Sequence, residues 1–164
     1  MKQSAGILVF RKTGTSHEVL LVHPGGPFWM KKDVWGIPKG LYEQNDNPLD
    51  AAKREFGEEI GQPAPAGNYI ELGEIKLSGG KLVKAWAVQG DLDTSEVKSN
   101  TFAQEWPPKS GNVQQFPEVD RAEWFSLTDA VPRMHKGQEV FITTLADHLG
   151  EPVERQNPAQ SSLF

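Results

Sequence analysis

Between Gly40 and Gly61 the chain reads GLYEQNDNPLDAAKREFGEEIG, and this stretch restricts the fold and chemistry more than any other. Asp46 or Asn47 can cap a helix, Pro48 suits the first helical position, and Gly61 followed by Pro63 ends it. Leu49, Ala52, Phe56 and Ile60 recur at three- and four-residue spacing, which predicts a buried stripe. Glu55 lies three residues before Glu58 and four before Glu59, so the three carboxylates stack along one exposed edge. Arg54, four residues before Glu58, can orient that carboxylate.

Like charges this close repel, and a cation is the expected compensation. Magnesium is the simplest candidate, because it takes carboxylate oxygens together with water and substrate phosphates. A solvated acidic helix face is the plainer alternative. An EF-hand does not fit, since Asn45, Asp46 and Asn47 are adjacent rather than alternating and the loop glycine is missing.

With its register included, the run resembles the signature of the Nudix hydrolases: a glycine, five residues, a glutamate, seven residues, then Arg-Glu-apolar-any-Glu-Glu-any-Gly-apolar. Gly40, Arg54, Glu55, Phe56, Glu58, Glu59 and Gly61 occupy matching positions. Asp46 stands where the pattern has glutamate; it keeps the charge and is one methylene shorter. Gln62 replaces the final apolar residue.

The resemblance spans roughly residues 4–149 and implies an α/β/α sandwich. A mixed central sheet with helices on both faces is also what the order of segments suggests. The resemblance further implies hydrolysis of a pyrophosphate bond with at least one Mg2+, or Mn2+ as a substitute. The implied ligands are Glu55, Glu58, Glu59 and the backbone carbonyl of Lys39 or Gly40, with Arg54 as an orienting group and Asp46 as support for the loop. The general base is either a signature glutamate, Glu59, or a downstream carboxylate, Glu118 or Glu105. Dinucleoside polyphosphates, ADP-ribose, nucleoside triphosphates, oxidised nucleotides and capped RNA all stay open as substrates. HPGGPFW before WGIPKG, followed by QEWPPKSG and FPEVDRAEWF, resembles the bacterial nucleotide pyrophosphohydrolases, with some likeness to the dinucleoside polyphosphate hydrolases. Tyr69 comes too soon after the signature to be the tyrosine that usually marks the latter. A nucleotide-binding regulator that keeps the fold without turnover is the alternative function, and the retained glutamates and arginine favour the enzyme.

Composition sets outer bounds. A chain of 164 residues fits one core, expected over residues 1–149, with a flexible tail over 150–164. A mean hydropathy of -0.51 leaves room for generous polar loops. The net charge of -5 disfavours nonspecific DNA or anionic-membrane binding. RNA is disfavoured because no basic tract would hold a long strand. The absence of cysteine removes disulfides and thiolate zinc sites. The N-terminal segment, charged at Arg11, does not read as a signal peptide, and no apolar run suits a membrane span. A cytoplasmic protein acting on a small-molecule nucleotide is the expectation; oligomeric state is not legible.

Around the acidic helix, strands are expected at 5–12, 17–23 and 35–38, then a hairpin of 69–77 and 81–89 turning at Gly79-Gly80. Residues 95–118 show no period and read as a long loop. A last strand over 123–127 precedes a helix capped by Thr128. A further helix over 137–149 presents Val140, Phe141, Thr144, Leu145 and Leu149 on one face. For substrate binding, Phe28 and Trp29 with Lys31 and Lys32 combine flat apolar surface with positive charge. Trp29, Lys32 and Lys39 are the candidates. Trp35 reads as core, and His23 and His135 as surface or structural histidines outside the site.

Overall fold

Strand β1 (Gln3–Thr13) sends alternate side chains to two separate cores. Ala5, Ile7 and Val9 join one; Leu8 and Phe10 join the other. Such a strand must be covered on both sides, and it is. The computed structural model describes residues 2–153. In it β1 is flanked by β5 (Leu82–Gln89) on one side and by β2 (Ser16–Pro24) and β3 (Lys39–Leu41) on the other. The sheet continues to β4 (Ile70–Lys76) beyond β5 and to β8 (Val119–Ser126) beyond β2. Only the β1–β5 pair is parallel, so the sheet is mixed.

Helix α1 (Pro48–Ile60) covers one face through Ala52, Phe56 and Ile60. Helices α2 (Leu127–Arg133) and α3 (Glu139–Leu149) cover the other through Leu127, Phe141, Ile142 and Leu145. The result is the expected α/β/α sandwich. No helix among the described residues is long and apolar enough to cross a membrane.

The site depends on a split between β1 and β2. The two strands pair from Phe10–Val19 to Thr13–Ser16 and then part. Residues 35–41 enter the gap. Gly36 exchanges backbone hydrogen bonds with Val22, and the Ile7 amide donates to the Pro38 carbonyl at 3.1 Å. Gly6 permits this approach, since a Cβ there would collide with Ile37 and the Pro38 carbonyl. The expected strand over 35–38 is therefore reduced to isolated bridges at Trp35 and Gly36, and the strand proper starts at Lys39.

Helix α1 starts and stops as its sequence requires. Asn47 is the cap and accepts from the Asp50 amide at 3.0 Å. Asp46 instead accepts from the Glu43 amide at 2.9 Å and closes the preceding turn. Gly61 sits at φ 77° and donates to Gly57 at 2.8 Å.

Residues 95–118 depart most from expectation. A 3-10 turn at Thr94–Glu96 leads to a two-stranded hairpin, β6 (Thr101–Glu105) and β7 (Val113–Pro117). Both strands are largely exposed, so no face is apolar enough to print an alternating pattern. Further on, β8 begins at Val119, and Ser126 rather than Thr128 caps α2. Helix α3 buries Phe141, Ile142, Leu145 and Ala146, while Val140 is 44% exposed. Phe141, Leu145 and Leu149 of the expected face pack on the core, while Ile142 and Ala146 take the place expected for Val140. Beyond Gly150, Glu151 meets His17 at 3.1 Å and Val153 packs on the core; the rest of the expected tail lies outside the described residues.

Gly61→Ala should destabilise the fold by at least about 1–2 kcal/mol, the usual cost of a left-handed non-glycine residue. The added Cβ would also sit 2.5 Å from the Lys98 carbonyl. Urea unfolding reads this directly; an unchanged midpoint would show that the 98–100 segment is not fixed against the helix end.

Candidate active site

The glutamates of α1 do not lie along an exposed edge. Glu58 is exposed, but the Glu55 side chain retains only 19% of its accessible surface. Glu59 turns into the cleft opened by the parted strands, where Lys39, Glu118, Trp35, His135 and Gln138 also form the walls. Its carboxylate accepts from the Lys39 amide at 3.0 Å. That bond ties the signature helix to β3.

Gly40 explains itself by contact. Its φ needs no glycine, but the Glu55 carboxyl rests against its Cα where any Cβ would stand. Arg54 pairs with Glu55 at 3.7 Å. The expected partner, Glu58, is not the one it meets.

Glu118 reaches the same cleft from the opposite wall. It is the single residue between β7 and β8. Its amide donates to the Asn100 carbonyl at 2.9 Å, and its carbonyl accepts from Gly25 at 3.0 Å. The Asn100 amide in turn donates to the Glu58 carbonyl at 3.2 Å, near the end of α1. Glu105, the other downstream candidate, accepts from the Lys109 amide at 2.7 Å within its own hairpin.

The charges record this crowding. Burial pushes the Glu59 carboxyl up from 4.5 to about 7; the Lys39 amide and ammonium pull it back, while Glu118 and Glu55 add repulsion. Burial and then repulsion from Glu58 raise Glu55, with Arg54 opposing. Burial lowers the Lys39 ammonium, Glu59 opposes that, and Lys81 adds to it. His135 is lowered by burial and by Lys39.

The substrate-binding candidates sit at the mouth. The Trp29 ring lies 5.4 Å from that of His135, and the Lys32 ammonium is 5.0 Å from the Trp29 ring centre. Phe28 turns away towards Trp106. Trp35 is core, packed on His23 and Phe125. His23 is fully buried and structural. One ring nitrogen contacts Asp120 at 2.8 Å and the other the Lys32 carbonyl at 2.6 Å, which pins the entrance loop.

His135 and Gln138 were not legible as site residues. They belong to the turn between α2 and α3, far along the chain, and reach the cleft only because Trp35 pairs with that turn. Gln138 accepts from the Ile37 amide at 3.3 Å and is buried.

Among the described residues no three acidic or histidine side chains already stand in metal-ligand geometry. The donor set still suits a hard divalent cation. It is all oxygen, the carboxyls of Glu55 and Glu59 are raised first by burial and then by neighbouring carboxylates, and Gly40 leaves a cradle beside Glu55 that a Cβ would fill.

With its carboxyl raised in the fold, Glu59 holds its proton while the unfolded chain releases it. Between about 4.5 and about 7, stability of the metal-free protein therefore falls as pH rises. Glu59→Gln should remove most of that slope and gain up to about 3 kcal/mol at pH 8. Thermal unfolding in chelator across this range is the measurement, and parallel wild-type and variant curves would refute the burial of charge.

The NUDIX domain family model matches residues 1–145. An RNA pyrophosphohydrolase of Bartonella henselae is 28% identical over 144 residues, covering 77% of this chain and 76% of that protein. Among solved structures, a C. elegans Ap4A hydrolase binary complex superposes with TM-score 0.64 at 20% identity, covering 90% of this chain and 98% of the other. The NUDIX domain of Shewanella oneidensis NrtR, complexed with ADP ribose, gives 0.61 at 15% identity, covering 90% and 87%. At these identities the two structures speak for the fold, and the domain match speaks for descent: the chain belongs to the Nudix family of pyrophosphohydrolases.

Proposed function

We propose that this protein hydrolyses, with a divalent ion of the magnesium type, the pyrophosphate bond of a nucleoside diphosphate joined to a second moiety. The observation that carries the reading is the meeting of Glu59, Glu118 and Lys39 in one cleft, with Glu55 close enough to feel Glu58, Glu59 and Glu118.

Glu55, Glu58 and Glu59, with the carbonyl of Lys39 or Gly40, would hold the ion, and manganese would substitute. Bound there, a divalent cation neutralises phosphate oxygens and lowers the pKa of a water. The chain's own groups do the rest. The Lys39 amide fixes Glu59, and Arg54 fixes Glu55. The Lys39 ammonium faces phosphate oxygens. Glu118 is exposed and held by backbone bonds on both sides, which suits it to take the water proton; Glu59 is committed to the Lys39 amide. As the water oxygen bonds to phosphorus, the bridging P–O bond breaks. Its electron pair stays on the departing phosphate, and the water proton passes to the carboxylate. Trp29 and Lys32, at the mouth, would hold the nucleoside end.

Release of phosphate or nucleotide from a panel of nucleoside diphosphate derivatives, with magnesium and then with chelator, tests the reading. Turnover should require the metal. Glu58→Gln should lower kcat by about 100-fold or more with an unchanged circular dichroism spectrum; full activity in that variant would remove Glu58 from the metal set. Asp46→Glu should keep or raise activity, because the longer acid keeps the charge at an exposed turn whose bond to the Glu43 amide it can still make. A large loss there would mean the loop is built for the shorter side chain. Nucleotide binding without turnover on any substrate would favour the regulator.

A further inference from the structure

A second concavity opens beside the cleft. Its walls are the β4–β5 turn, with Lys76, Ser78 and Lys81, and the α2–α3 turn, with Lys136. His135 lines both spaces, so they meet across one imidazole. The two turns are fixed structures. Leu77 donates to the Lys81 carbonyl at 2.8 Å, and Gly80 to the Leu77 carbonyl at 3.1 Å. Opposite, Gln138 donates to the His135 carbonyl at 2.9 Å. Gly137, at φ 95°, lets Leu77 approach: a Cβ there would lie 3.0 Å from it.

The charge of this place runs against that of the protein. The chain carries a net -5, yet Lys76, Lys81 and Lys136 are exposed around one hollow, and no carboxylate among the described residues forms an ion pair with any of them. Lys81 is near enough to Lys39 to be felt there. A continuous positive lane therefore leads from Lys39, opposite Glu59, past His135 to the three lysines. Ammonium groups gathered without partners raise the local concentration of multivalent anions and bind phosphate as point charges.

We propose that this basic pocket holds phosphate groups of the substrate lying beyond the cleaved bond, so that the preferred substrates carry a chain of three or more phosphates. The inference rests on the pyrophosphohydrolase reading of the cleft and selects among its substrates. A diphosphate linking a nucleoside to a sugar would span the carboxylates and present no further charge to Lys76, Lys81 and Lys136. A dinucleoside tetraphosphate or a nucleoside triphosphate would.

The test compares kcat/KM for ADP-ribose, ATP and diadenosine tetraphosphate in the wild type, in Lys76→Ala/Lys81→Ala/Lys136→Ala, and in the corresponding triple arginine variant. His135 is left intact, because it also borders the cleft. The alanine variant should lose about tenfold or more on the two longer chains and less than about twofold on ADP-ribose, and arginine should restore activity. Inorganic tripolyphosphate should inhibit the wild type more strongly than orthophosphate, and the alanine variant should lose that difference. Equal losses on all three substrates, or no loss on the longer chains, would overturn the proposal while leaving the hydrolase reading intact. If none of the three is hydrolysed, the reading of the cleft is judged on the wider panel of nucleoside diphosphate derivatives. Calorimetric binding of tripolyphosphate then decides the pocket, with loss in the alanine variant supporting it and unchanged binding refuting it.

Discussion

Carboxylates that share a shielded space must be balanced, and the centre of this protein is organised by that requirement. Glu59 is mostly out of water, Glu55 is pressed against Gly40, and Glu118 acts on both from the joint between β7 and β8. Left alone, Glu55 and Glu59 are costly, as their raised proton affinities show. The fold bears this cost in a cleft that sets Lys39 beside Glu59 and Lys32 near the mouth. Repulsion held in reserve is a natural basis for capturing a multiply charged ligand with its counter-ion.

The scaffold makes that arrangement through the parting of β1 and β2. A segment inserted between them brings Trp35 to the α2–α3 turn and Lys39 to α1. Residues remote in sequence thus become neighbours without any long excursion of the chain. Both faces of the sheet contribute: α1 gives the acids, and the opposite helix pair gives His135 and Gln138.

Much of this was legible in sequence, and the reasons differ by element. Helix α1 was readable because Ala52, Phe56 and Ile60 keep strict period and Asn47, Pro48 and Gly61 punctuate it. The β4–β5 hairpin was readable from Gly79-Gly80, both at positive φ. The β6–β7 hairpin was not, because its strands are exposed on both faces and held by a cross-strand Phe102–Phe116 contact rather than a buried stripe. Helix α3 was placed with Phe141 and Leu145 on its buried face, but one edge of that face was not, since Val140 and Ile142 are equally apolar and only packing decides between them. At the site, spacing within one helix gave the acidic trio. His135 could not be found that way, because its proximity to Lys39 exists only in three dimensions. Nor could spacing reveal that Arg54 would serve Glu55 instead of Glu58.

One thread of backbone contacts has a mechanical meaning. Near the end of α1 the Glu58 carbonyl takes the Asn100 amide, Asn100 takes Glu118, and Glu118 takes Gly25 at the root of the entrance loop. Acid helix, opposing carboxylate and doorway are strung on a single cord. Whatever displaces the Gly25 amide therefore also removes a bond that steadies Glu118, so the shape of the entrance and the aim of the carboxylate are not independent.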